Sequence, residues 1–230
     1  MVKELKIMFN NLNLIKMEKT VGTTKKVYNL IIVDESGSMS IIRNEALAGL
    51  NETIETCQKM QEMHPELEQR ITLISFDSGH FKTHLDNELA TKARKLTTDD
   101  YRPNAATPLY DAIGKGIAKL NAQTQSGENV LVTIITDGEE NCSQEYNLKM
   151  VKTLIEKQKE QSWTFTLIGT DNLDVEGMAG ALSIDNHLEF AEDAESTKKM
   201  FARERKARSR FMACMSVGKC MEKGAYFKED

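Results

Sequence analysis

No apolar run in this 230-residue sequence approaches the roughly 20 residues a helix needs to cross a bilayer. The N-terminus lacks even the continuous apolar segment, about 7–15 residues long, of a secretory signal. Asn10, Asn11 and Asn13 interrupt it, among Lys3, Lys6 and Lys16. Cysteine is sparse: Cys57, Cys142, Cys214 and Cys220 form no C-x-x-C and read as ordinary thiols of a reducing compartment. These absences point to a cytoplasmic protein with no membrane partner. The net charge of −5 gives no overall pull toward nucleic acid or anionic lipid. Neither a Walker loop nor a G-x-G-x-x-G occurs, which removes nucleotide binding by those routes. No repeat or low-complexity linker divides the chain.

What is present is an alternation of apolar strands and amphipathic helices. Val27 to Val33 is a nearly continuous, β-branched apolar run, as expected of a strand covered on both faces. Ile42, Ala46, Leu50, Ile54, Cys57 and Met60 then recur at helical period until Pro65. Ile71–Phe76 reads as a second strand, with Phe81–Leu85 as a short partner at the edge. Thr107 and Pro108 read as N-cap and first residue of a helix to about Asn121. A strand over 129–136 follows, then a helix over 143–161 and a strand over 163–168. A short helix over 174–181, a short strand over 187–190 and a basic helix from Ala194 complete the order. Strands alternating with helices imply a single doubly wound, mostly parallel α/β sheet with one short antiparallel edge strand and helices on both faces. Residues 1–26 read as a flexible lead-in, with Met1 and Met17 both candidate starts. The folded domain is expected over 27–213, and 214–230 as a loose tail.

The informative feature is Asp34-Glu35-Ser36-Gly37-Ser38, directly after the first strand. In an extended loop Asp34, Ser36 and Ser38 share one side. Gly37 permits a close backbone approach, and Ser38 is placed to cap the next helix. Hard oxygens gathered in this way suit a hard cation. Asp137 ends the 129–136 strand, so both carboxylates leave the same sheet edge, where ligands gather in open α/β sheets. An Asp and two Ser after a strand are also ordinary turn and capping residues. The combination Asp34-x-Ser36-x-Ser38, Thr107 and Asp137 goes further, and resembles the metal-ion-dependent adhesion site of von Willebrand factor A domains. The resemblance spans roughly residues 27–213, and the whole chain is similar to stand-alone bacterial proteins of that family. It implies Mg²⁺ (or Mn²⁺ or Ca²⁺) held directly or through water by Ser36, Ser38 and Thr107, with Asp34 and Asp137 acting mainly through bound waters or by direct contact in one state. It also implies an open coordination position filled by an Asp or Glu carboxylate of a partner protein.

Two other readings compete. The same oxygens would serve a metal-assisted hydrolase or phosphotransferase. No general base or Lys/Arg clamp accompanies them in sequence, and Glu35–Met39 does not fit G-x-S-x-G. A basic C-terminal helix carrying Lys198, Lys199, Arg203, Arg205, Lys206, Arg208 and Arg210 would suit nucleic acid or an acidic protein. Its interleaved Met200, Phe201, Ala207, Phe211 and Met212 favour a packed inner face and a solvated cationic outer one. Asp111 is expected to face solvent or cap its helix, and Glu139 and Glu140 to sit in a solvated loop. Asp171 and Asp174 border the same edge. His80 and His84 have metal-like spacing only on a helix, where the sequence reads as strand. Cys142 would be reactive only with a lowered pKa.

Overall fold

A computed structural model describes residues 25–219 and 221–228. Six strands form one sheet: β1 (Lys25–Asp34), β2 (Leu67–Asp77), β3 (His80–Leu89), β4 (Asn129–Thr136), β5 (Trp163–Thr170) and β6 (Asn186–Phe190). The helices are α1 (Arg43–Met63), α2 (Leu109–Asn121), α3 (Leu148–Lys159), α4 (Val175–Ala181) and α5 (Ala194–Ser216). The sheet order is β3-β2-β1-β4-β5-β6, parallel except for the β2–β3 hairpin.

Alternation along β1 divides the core. Val27, Ile31 and Val33 pack with Leu50 and Ile54 of α1 and Phe201 and Met212 of α5. Leu30 and Ile32 face Ile113 and Ile117 of α2, Val151 of α3 and Val175 of α4. A strand buried on both faces needs this uninterrupted apolar run. Gly49 lets α1 and α5 close together, since a Cβ there would lie 2.2 Å from the Phe201 ring.

Several boundaries depart from the sequence reading. Of the lead-in, residues 1–24 lie outside the described residues, while Lys25 and Lys26 already belong to β1. The edge strand β3 is ten residues long, not short. Helix α2 begins at Leu109 with Pro108 in the cap position and no side-chain cap bond. Proline disfavours helical backbone at the residue before it, so Thr107 stays outside the helix with its hydroxyl uncommitted to a cap. Helix α3 begins at Leu148 rather than 143, with the Asn147 side chain accepting from the Met150 N–H at 3.1 Å. The tail is not loose throughout: Tyr226 and Phe227 are buried in the α1/α5 core, edge to face with ring centres 4.8 Å apart.

His84 on β3 is buried, with Nε2 2.7 Å from Ser75 Oγ and Nδ1 without a hydrogen-bond partner. Burial lowers its pKa from 6.5 to about 4; the Lys82 and Arg94 charges act with burial, those of Glu35 and Asp100 against it. The unfolded chain therefore takes up this proton first, and His84 withdraws stability as pH falls from about 6.5 to about 4. Denaturant titrations of the wild type and His84→Gln across that window should show the wild type losing more stability toward pH 4. Parallel profiles would remove His84 as the cause.

Candidate metal centre

The chain runs β1 to β3 toward one edge of the sheet and β4 to β6 toward the other, so the order reverses between β1 and β4. Crevices outside the carboxyl ends of such strands are where open α/β folds bind ligands. Asp34 is the last residue of β1 and Asp137 follows the last residue of β4. Their backbones are held in register by the parallel β1–β4 pairing, with Val33 beside Ile135.

All five expected residues are less than a tenth exposed except Ser38, and the side-chain bonds tie the loops together. Asp34 Oδ1 accepts from the Ser36 N–H at 2.7 Å, and Oδ2 from Thr136 Oγ1 at 2.6 Å. Ser38 Oγ donates to Asp137 Oδ1 at 2.9 Å and lies 3.4 Å from Ser36 Oγ. Ser38 therefore reaches across to β4 instead of capping; Ser36 holds the cap position of the 3₁₀ turn Gly37–Ile42, without a side-chain bond. Thr107 stands against the Asp137–Gly138 backbone: a Cβ on Gly138 would come within 2.8 Å of Thr107 Oγ1. Only glycine admits that approach.

Asp137 Oδ2 is buried and has no hydrogen-bond partner. An unpaired buried carboxylate oxygen is costly unless something satisfies it. Burial pushes Asp137 up to about 7, helped by the charges of Asp34 and Glu192 and opposed by the Ser38 hydrogen bond. Burial also raises Asp34, against the bonds from Thr136 and Ser36. Among the described residues no group of three or more His, Cys, Asp or Glu is arranged to hold a metal. This set is of a different kind, two carboxylates with three hydroxyls, and that all-oxygen chemistry fits a hard divalent cation.

Residues that no motif marks hold the loops in place. Glu35 is 2% exposed, its side chain accepting from the Arg102 N–H and lying 3.0 Å from His80 Nε2. Its own carbonyl accepts from the Asn104 N–H at 2.8 Å. Tyr101 is buried and donates its hydroxyl to the Asp34 carbonyl at 2.6 Å. The irregular 100–107 segment is thus pinned at Asp34, the last residue of β1, and at Glu35 just beyond it. Asp111 does not face solvent: it accepts from the N–H groups of Gln144, Glu145 and Tyr146 at 2.7–3.0 Å. Nor is Glu140 merely solvated, since it accepts from the N–H groups of Tyr110, Cys142 and Ser143. Between them these two carboxylates wrap residues 140–146 around the start of α2, which is why α3 begins late.

The remaining candidates fall elsewhere. Asp174 caps α4 through the Gly177 N–H at 2.9 Å, and Asp171 is exposed. His80 lies between Glu35 and Asp77, 3.0 Å from each, apart from His84 and its Ser75 contact. Burial and the Glu140 and Asp111 charges raise the Cys142 thiol, the reverse of activation. Arg208, expected on the solvated face of the last helix, is fully buried. No described helix is long and apolar enough to cross a membrane.

No protein-family model matches the sequence, and no curated protein matches it. Solved structures do. The pilus adhesin SpaC from Lactobacillus rhamnosus GG superposes with a TM-score of 0.63 at 14% identity, over 83% of this chain and 31% of the adhesin. This chain thus spans about a third of that protein. The vWF domain of the type V pili tip protein Mfa5 from Porphyromonas gingivalis matches at 0.58 and 10% identity, over 87% of this chain and 98% of the domain. The SpRpn10 VWA domain matches at 0.53 and 11% identity, covering 76% and 93%. Likeness at such low identity speaks for architecture alone, and the architecture is that of a von Willebrand factor A-like fold.

Proposed function

We propose that this chain is a Mg²⁺-dependent protein-binding module. In this reading Asp34, Ser36, Ser38, Thr107 and Asp137 hold the cation, and an Asp or Glu carboxylate of a partner completes its coordination. When bound, the cation supplies a Lewis-acid position for that external oxygen. The observation that carries the reading is Asp137 Oδ2, buried without a partner beside the serine hydroxyls. Both Asp34 oxygens already accept protein hydrogen bonds, which suits a charge acting through water. Asp137 keeps one oxygen free for direct contact. Three neutral hydroxyls leave the ion under-neutralised and receptive to an outside acid. The neighbours named as a pilus adhesin and a pili tip protein fit a recognition role.

A Mg²⁺ titration followed by thermal unfolding tests this. At a Mg²⁺ concentration roughly 100 times Kd the fold should gain about 2.7 kcal/mol, reversibly lost in EDTA. Asp34→Ala should remove the Mg²⁺ response while keeping a cooperative transition in EDTA. Partner capture should likewise need Mg²⁺; a partner retained equally in EDTA would overturn the reading.

A further inference from the structure

Beside the candidate centre lies a shallow groove of about 620 Å³, lined by Ser40, Arg43, Thr98, Asp99, Arg102 and Pro103. Its walls are the two segments that carry and brace the metal loop. On one wall Ser40 Oγ donates to the Gly37 carbonyl at 2.6 Å, and Gly37 and Ser38 beside it are exposed. The other wall is bound to the first: the Arg102 N–H donates to the Glu35 carboxylate, and the Gly37 N–H to the Ala105 carbonyl at 3.1 Å. Arg43 spans both, with Nε donating to the Tyr101 carbonyl at 2.9 Å and Nη2 to the Thr98 carbonyl. Among the described residues no carboxylate pairs with it. Arg102 pairs with Asp99, but those side chains are 68% and 80% exposed, and such a pair contributes little. The groove thus holds two guanidiniums against one carboxylate, on a chain of net charge −5. The β4–β5 flank of the centre has the other sign: Glu139 and Asp171, just beyond those strands, are both exposed.

We infer that this groove takes a second carboxylate of the partner, so that the chain recognises an extended acidic segment and not a single acid. The inference rests on the cation-binding reading above and names the class of partner for that site. Arg43 lies five residues past Ser38. At about 2 Å per residue along a tight turn, that separation is roughly 10 Å. An extended chain rises about 3.3 Å per residue, so the two acids stand about three residues apart. One completes the ion. The other meets Arg43 and Arg102, whose planar forks match a carboxylate, and takes the place of the exposed Asp99 on Arg102. The acidic β4–β5 flank repels a segment laid the other way, which sets the side on which the second acid lies.

Two immobilised synthetic peptides test this against the full chain by surface plasmon resonance. One carries Asp-Gly-Ser-Glu between Gly-Ser spacers, and the other has Gln in place of the Glu. In Mg²⁺ the wild type should bind the two-acid peptide about tenfold tighter, the scale of two partly exposed charge pairs, with the preference shrinking as NaCl is raised. Arg102→Gln should cut the preference roughly threefold and leave the one-acid peptide unaffected. Asp99→Asn should raise it, because Arg102 is then unpaired; a merely structural Asp99–Arg102 pair would give no such gain. Arg43→Gln should lower it as well. The Mg²⁺-dependent melting shift reports whether each variant keeps the centre intact, and Arg102→Gln decides if Arg43→Gln does not. A preference unmoved by both Arg102→Gln and Asp99→Asn would overturn the inference. Equal affinity for the two peptides, each needing Mg²⁺, would remove the groove and leave the cation-binding reading standing. If neither peptide gains from Mg²⁺, that reading falls, and the groove with it.

Discussion

Arg208→Ala is expected to lower the free energy of unfolding by about 3–5 kcal/mol, the cost of breaking a buried ion pair from one side. The guanidinium is fully buried and every arm is engaged. Nε and Nη2 meet Glu204 Oε1 at 2.9 and 2.7 Å, Nη1 donates to Asn29 Oδ1 at 2.6 Å, and Nη2 to Thr133 Oγ1 at 2.8 Å. Asn29 lies on β1 and Thr133 on β4, so one side chain of α5 ties together the two strands that frame the candidate centre. The Tyr226 hydroxyl lies 3.1 Å from the same Glu204 oxygen, adding the C-terminal segment to the network. Truncation would leave a buried carboxylate with the tyrosine as its remaining neutral donor, and Asn29 and Thr133 with an accepting oxygen each unmet. Urea unfolding of Arg208→Ala, Glu204→Leu and the double variant Glu204→Leu/Arg208→Met measures this. The double variant should recover much of the loss, since apolar side chains of similar volume replace buried pairs at little cost. A loss below about 1 kcal/mol in Arg208→Ala would show that the network carries little stability.

The last helix also shows where sequence reasoning stops. Phe201, Glu204, Arg208, Phe211 and Met215 follow one helical stripe, and all five are buried. The period alone thus assigns Arg208 to the inside; its charge argues for the outside, and nothing local decides between them. The deciding groups are Asn29 and Thr133, far off in the sequence. Tyr226 is hidden for a similar reason: it and Phe227 are a single aromatic pair in an otherwise polar tail with no periodicity. By contrast, the alternation of strands and helices could be read, as could the places of Asp34, Ser36, Ser38 and Asp137 after strands and of Thr107 before a helix. Each borders a patterned run whose end fixes its position. The order of the strands in the sheet could not be read. Glu35 sits inside the same motif, yet its work is to hold the irregular 100–104 segment, which no pattern foretells. Asp111 and Glu140 were legible as charges but not as loop anchors, because their partners are backbone N–H groups 2 to 35 residues away.

Asp137→Asn is expected to abolish Mg²⁺ binding while stabilising the chain in EDTA, and these opposite signs are the most discriminating outcome available for the candidate centre. Asparagine keeps the size of the side chain and an oxygen able to accept from Ser38 Oγ. It replaces the unpaired, buried Oδ2 by an amide and removes a charge that Asp34 and Glu192 oppose. The relief comes from removing that desolvated charge and should be worth about 1 kcal/mol or more, the scale of one pKa unit. With Mg²⁺ present the ranking reverses, because the wild type alone gains binding free energy, and about 2.7 kcal/mol at roughly 100 times Kd exceeds the intrinsic difference. Melting curves of both proteins with Mg²⁺ and with EDTA should therefore cross. If Asp137 were an ordinary turn residue, the variant would be the less stable in both conditions and Mg²⁺ would move neither curve. Parallel curves would leave the buried Oδ2 unexplained and remove the cation from the candidate centre.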